Sequence, residues 1–222
     1  MESKQNGTLN INKPPGISSF KCMSVVKRKL GLSKVGFLGT LDPLAEGVLV
    51  LLCGRATKLA DTLHGSEKVY RSKFRFGAES TTLDLEGEII ATSELIPTRE
   101  QIEKILPELI GDIEIEVPKY SAVHINGKRA YDLARKGIDF APPKRVVNIR
   151  RFELLEQIGE REFLFEIECQ TGTYIRSLAK LMAQKLGTVA LASQIIRTRV
   201  GEFKIEDAKT LDEIELTDLV AT

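Results

Sequence analysis

The 222-residue sequence predicts an α+β fold: a largely antiparallel, mixed sheet flanked by helices. Three observations point there. Strand-length apolar segments come in consecutive pairs that read as antiparallel. Capped helical segments lie between only some of them, unlike the strict alternation of a doubly wound parallel sheet. Finally, 42% hydrophobic and 28% charged residues over this length suffice for one substantial core. The organisation expected is one domain over 1–222, with room for a small lobe at about 85–140.

Taken in order, a short strand (Thr8 to Ile11) runs into the turn KPPGISS. Ser19 reads as the N-cap of a helix ending at Leu30, with Gly31 as its stop and Met23, Val26 and Leu30 on one face. The Gly/Pro-rich loop SKVGFLGTLDPLAEG leads to an apolar strand, Val48 to Leu52. A helix over Ala56 to His64 is closed by Gly65. Lys68 to Phe76 alternates, with Tyr70, Phe74 and Phe76 on one side and Arg71, Lys73 and Arg75 on the other, as in a half-buried strand with a cationic outer face. Thr98 and Gln101 fit a capping box for a helix using Ile102, Ile105 and Leu109, which Pro107 bends or breaks. Ile113, Ile115 and Val117 alternate as a strand, and Asn126-Gly127 has hairpin-turn chemistry. Strands at Arg145 to Leu155 and Phe163 to Cys169 are joined by GERE. A helix from about Thr173 to Leu186 buries Ile175, Leu178 and Met182 and stops at Gly187.

Composition excludes several classes. No apolar run approaches the ~20 residues of a membrane span, and the N-terminus MESKQNG lacks a secretory core. Cys22, Cys53 and Cys169 form no CxxC pair, and with two histidines they make no zinc cage. Cys22 and Cys169 fall on core faces, and His64 and His124 read as surface groups. A cytoplasmic protein without a metal is expected. Phosphate-loop, dinucleotide and nucleophile-elbow motifs are absent. The net charge of +1 conceals blocks: 13 Lys/Arg against 5 Asp/Glu in 1–75, 2 against 11 in 76–116, 9 against 2 in 117–151, and 8 against 13 in 152–222. Such alternation suits a basic face that binds phosphate backbones, although solvated surface gives the same pattern.

Two segments stand out. In GFLGTLDPLAEG an acid, Asp42, precedes a proline that pushes it out of helical conformation and into a stiff turn. It is either a functional carboxylate held by a scaffold or an Asx-turn residue. In QTGTYIRSLAKLMAQKLG, Tyr174 and Arg176 fall in the first turn of a helix, where a cation opposes the dipole unless an anion is near. Arg176 then pairs with a carboxylate or phosphate, or is satisfied by carbonyls and solvent.

Taken together, NKPPGISS, GTLDPLAEGVL, CGRATKL, KVYRSKFRFG, TTLDLEGEI, VPKYSAVHINGKRAYDLARKG and GTYIRSLA resemble, in order, the motifs of the TruB family of tRNA pseudouridine synthases. The resemblance implies the pseudouridine synthase fold with a central active-site cleft, and isomerisation of a flipped-out T-loop uridine at tRNA position 55 without a cofactor or metal. It places Asp42 as nucleophile, Arg176 as the arginine that pairs with it, and Tyr70 against the base. Tyr174, Phe37, Lys13 and Ile195 fall at substrate-binding positions. The implied partner is the T-arm stem-loop of tRNA, bound by a monomer along basic strips such as Lys27, Arg28 and Lys29 or Arg71, Lys73 and Arg75. Phe37 stands where the family has a histidine; it can still stack but donates no hydrogen bond. Ile195 replaces the usual leucine, and Lys119 the second proline of VPP. No C-terminal RNA-binding domain is evident in the sequence. The alternatives are a non-catalytic or weakly active RNA-binding paralogue that folds tRNA, and a synthase for another RNA.

Overall fold

The structure is a computed structural model that describes residues 5–221; the side chains of Asp61 and His64, the latter read above as a surface group, lie outside the description. Strand β1 (Gly7–Lys13) leads into helix α1 (Ser19–Lys29). The cap is Ser18, one residue earlier than expected: its hydroxyl accepts from Lys21 N at 3.1 Å. Ser19 turns inward instead, 1% exposed, so of two adjacent serines the one facing solvent makes the cap. Strands β2 (Val35–Phe37) and β3 (Glu46–Cys53) follow, the latter almost wholly buried. The helix expected over Ala56 to His64 begins as a 3₁₀ segment, Gly54–Leu59, and becomes α-helical only in α2 (Ala60–His64).

Strand β4 (Lys68–Phe76) has the expected boundaries and alternation, with Arg71 and Arg75 exposed and Phe74 and Phe76 at 0%. A hairpin of β5 (Ala78–Ser80) and β6 (Ile89–Thr92) precedes α3 (Arg99–Ile105), whose Thr98/Gln101 capping box is present in both directions. Pro107 ends that helix in a 3₁₀ turn, Leu106–Leu109. Next come β7 (Gly111–Glu116), the hairpin β8 (His124–Ile125) and β9 (Lys128–Arg129), and α4 (Ala130–Arg135). Asn126 and Gly127 both take positive φ, 48° and 78°, as a two-residue primed turn requires. Long strands β10 (Lys144–Gln157) and β11 (Glu162–Cys169) pair antiparallel.

Helix α5 (Ile175–Lys185) starts later than expected. Gly172 takes φ 86° and Tyr174 is extended at φ −100°, ψ 108°, so Tyr174 is the cap and only Arg176 lies in the first turn. Strand β12 (Ala190–Val200), not foreseen, and β13 (Phe203–Lys204) complete the elements.

The described chain forms two compact units, Met1–Arg71 with Ile195–Thr222, and Ser72–Gln194; the boundaries fall inside β4 and β12. In the first unit the strand order is β1-β3-β12-β4, with β2 on β3 and β13 on β12. β1 and β3 are antiparallel from Gly7↔Cys53 to Lys13↔Gly47, whereas β3 and β12 run parallel at Glu46↔Ile196 and Gly47↔Arg197. The other side of β1 is covered by residues 209–220: Asn12 N donates to Lys209 O, Lys209 N to Asn10 O, and Thr8 and Val220 exchange both bonds. In the second unit the order is β12-β4-β11-β10-β7, mostly antiparallel. Its core is aromatic: the Phe74 and Phe165 centroids lie 4.8 Å apart, with Phe152 edge-on to both. The architecture is α+β, a large and mostly antiparallel sheet with few helices. No described helix is long and apolar enough to cross a membrane.

Candidate active site

Asp42 lies in the first unit, half-buried, at the start of a tight turn closed by Ala45 N donating to Asp42 O at 3.1 Å. Pro43 occupies the second position of that turn, where its fixed φ is pre-organised. Four tethers hold the segment. Ser19 Oγ donates to Leu41 O at 2.9 Å and accepts from Leu41 N at 2.8 Å, so the inward serine ties α1 to the loop. Gly16 N donates to Pro43 O at 2.8 Å. Lys13, fully buried, donates to Pro43 O at 3.2 Å, Pro14 O at 2.9 Å and Ile17 O at 2.6 Å. Arg197, also fully buried, donates from Nε to Val48 O at 2.8 Å and from Nη2 to Gly39 O at 3.0 Å.

Burial pulls the Lys13 ammonium down to about 8, and Arg197 pushes the same way, while Cys22, Asp42 and Glu46 nearby push it up. Burial likewise lifts the Cys22 and Cys53 thiols to about 11, which leaves them protonated and inert at neutral pH. Tyr70 (7% exposed) and Ile195 (4%) are buried in this unit, and Phe37 is half-buried at the end of β2. A cationic recess of about 390 Å³ is lined by Lys34, Arg55 and Lys58 with Asn6. In the strip on α1, Lys27 and Arg28 face solvent, while Lys29 Nζ is committed to Leu211 O and Asp212 O.

Arg176 and Tyr174 lie in the second unit. Arg176 is 3% exposed, and its Nη1 and Nη2 donate to Thr82 O at 2.6 Å and Tyr120 O at 3.2 Å. The carboxylate it meets within this unit is Asp84, with Nη1 to Oδ2 at 3.5 Å and both side chains 3% exposed. Asp84 is itself fixed: Oδ1 accepts from Thr82 Oγ1 and from Glu86 N. The turn that aims it is strained, because Leu83 takes φ 63° without being glycine. The need of Arg176 for an anion was readable from its place at a helix start; the identity of Asp84 was not. Its only signal was a lone aspartate in the TTLDLEGEI motif. Tyr174 is half-buried, with the Arg145 guanidinium 6.0 Å above its ring.

Comparison with known proteins agrees with this inventory. The family model described as TruB family pseudouridylate synthase (N terminal domain) matches residues 27–175, a span that holds Phe37, Asp42, Tyr70 and Tyr174 and stops one residue before Arg176. The chain is 43% identical over 217 residues to a tRNA pseudouridine synthase B of Geobacillus thermodenitrificans (strain NG80-2), covering 95% of this chain and 72% of the relative. It is 40% identical over 210 residues to the protein of the same name from Caulobacter vibrioides (strain ATCC 19089 / CIP 103742 / CB 15), covering 95% and 68%. Among solved structures, a chain of a Cbf5-Nop10-Gar1 complex superposes with TM-score 0.73 at 31% identity. One from an H/ACA RNP bound to a substrate RNA containing 2'-deoxyuridine gives 0.71 at 28%. These cover 94% and 95% of this chain but only 53% of each solved chain, so the chain spans about half their length. With two thirds of its length under the family model and relatives 40–43% identical over 95% of the chain, the chain belongs to the TruB family of pseudouridylate synthases.

Proposed function

We propose that this chain is a tRNA pseudouridine synthase that acts as a monomer on the T-arm stem-loop and isomerises the uridine at position 55. Its nearly full-length similarity to proteins named tRNA pseudouridine synthase B supports the reading. The observation that carries the chemistry is the Asp42 turn, a half-buried carboxylate on a loop tied at Gly39, Leu41 and Pro43. A nucleophile so held meets its target without first ordering a loop, which removes an entropic part of the barrier.

In the reaction the C1′–N1 bond breaks, the base turns, and a C5–C1′ bond forms. The proton lost from C5 is balanced by one gained at N1. Asp42 assists departure of the base, either by adding to the ribose or by promoting a glycal. Arg176, steadied by Asp84 within its own unit, is the arginine that the family resemblance assigns to the nucleophile. Tyr70 packs against the base, Tyr174 and Ile195 line the pocket, and Phe37 stacks in the space the base vacates. Lys13 acts through the loop by holding Pro43 O. The exposed Arg71, Arg75, Lys27 and Arg28 hold phosphates, and the Lys34, Arg55 and Lys58 recess adds to that surface. The protein as a whole serves as one catalytic domain.

The test is tritium release from C5-tritiated uridine in a T-loop transcript. Wild type releases label stoichiometrically, and Asp42→Ala releases none while binding the same RNA. Release at the wild-type rate by Asp42→Ala removes the nucleophile assignment; no release by wild type at high enzyme removes the T-loop substrate.

A further inference from the structure

Among the described residues Arg197 is the largest fully buried side chain, and the proposed reaction gives it no role beyond the tie at Gly39. It lies on β12 where that strand pairs in parallel with β3, opposite Gly47. The approach is so close that a Cβ on Gly47 would stand 2.3 Å from Arg197 O. From there the guanidinium reaches both ends of one segment, Gly39 O through Nη2 and Val48 O through Nε. Gly39 leaves it room: with φ 64°, a Cβ there would stand 3.3 Å from Nη1 and 3.2 Å from Lys68 Cε. Lys13, equally buried, holds the far side of the turn at Pro43 O. Among the described residues of the first unit the buried charged side chains are thus cations, Lys13, Lys68 and Arg197, while Asp42 and Glu46 nearby are half-buried.

Stability alone does not explain this choice. Burying two like charges that repel each other is costly, and apolar side chains of similar volume hold a sheet together at least as well. What the cations supply is position: each binds a carbonyl of the loop that carries Asp42. We propose that Arg197 is a positioning residue for the Asp42 carboxylate, anchoring the entry of the 39–43 turn at Gly39 while Lys13 anchors its exit at Pro43. The inference rests on Asp42 being the nucleophile, and its test separates the two claims.

Arg197→Met removes the charge and both hydrogen bonds at similar volume, and Arg197→Lys keeps the charge but not the two-pronged reach. Deuterium exchange of the 38–45 peptide reads the anchor, and steady-state tritium release reads its consequence. In Arg197→Met, exchange of that peptide accelerates by at least about tenfold, against no change in the aromatic core around Phe165. Turnover falls by about 100-fold in kcat, the scale of an ångström of misplacement, with KM held within about threefold. Arg197→Lys recovers part of kcat. Should Arg197→Met fail to fold, Arg197→Gln removes the charge and one of the two prongs while keeping a hydrogen-bonding amide, and gives faster exchange and lower kcat to a smaller degree. Unchanged exchange, or kcat within about twofold of wild type, in whichever of these variants folds overturns the proposal. If instead wild type turns over no faster than Asp42→Ala, the nucleophile reading fails while the exchange result still decides whether Arg197 anchors the turn.

Discussion

Replacing Asp84 with asparagine isolates one charge in the second unit. Asparagine keeps an oxygen for Thr82 Oγ1 and Glu86 N, so the turn that aims the side chain survives. At the other end an amide N–H replaces Oδ2, 3.5 Å from Arg176 Nη1, and donor faces donor. Both side chains are 3% exposed, so water cannot take over the lost role. Stranding one member of a buried pair costs about 3–5 kcal/mol. Arg176 keeps its bonds to Thr82 O and Tyr120 O, which places the cost at the low end, about 3 kcal/mol. At about 2–4 °C per kcal/mol for a chain of this size, the melting temperature drops by about 6–12 °C. Urea unfolding followed by circular dichroism measures the loss directly. Adding Arg176→Met closes a double-mutant cycle, in which the double variant is expected to be more stable than Asp84→Asn alone. A change below about 0.5 kcal/mol in Asp84→Asn, with additive behaviour in the cycle, would show that the two residues do not form an energetically coupled pair.

Two further outcomes follow from the first unit. Phe37→His exchanges the phenyl ring at the end of β2 for a hydrogen-bonding one, and single-turnover rates on the T-loop transcript are expected to be unchanged or faster; a clear loss would assign Phe37 a positive role. Lys13 separates activity from stability in its pH response. Burial lowers its folded value to about 8 from an ordinary 10.5, so the folded ammonium is lost as pH rises through 8. A neutral amine has two N–H donors for three carbonyls, the turn loosens, and kcat falls above pH 8. Between pH 8 and 10.5 the unfolded chain binds a proton that the folded chain does not, so stability from this group rises across the same window. Opposite trends in turnover and in urea midpoint are expected for wild type, and both flatten in Lys13→Met.

Local chemistry made much of the fold readable. The β4 alternation, the Thr98/Gln101 box and the Asn126-Gly127 turn each depend on neighbours within a few residues, and each stands where the sequence put it. The shifted start of α1 comes from adjacent residues of equal local propensity, Ser18 and Ser19, where the choice was made by what lies across the gap at Leu41. Strand β12 escaped notice because it buries an arginine between Ile196 and Thr198, where it pairs in parallel with β3, and such an inward charge breaks the apolar pattern of a strand. The candidate site divides in the same way. Asp42 announced itself through Gly and Pro beside it in the chain. Asp84 and Arg197 act on groups far away in sequence, and no period or motif spacing encodes such pairs.

The strip of chain at 209–220 that lies along β1 carries a consequence for handling the protein. It occupies main-chain donors and acceptors that would otherwise form an open border, and natural sheets guard such borders because any extended peptide can add to them. Trimming the chain before Lys209 leaves the Asp42 turn and the aromatic core untouched. It nonetheless bares a row of unsatisfied amides on an apolar ribbon, and the trimmed molecules would stack side by side and precipitate while each still holds its fold.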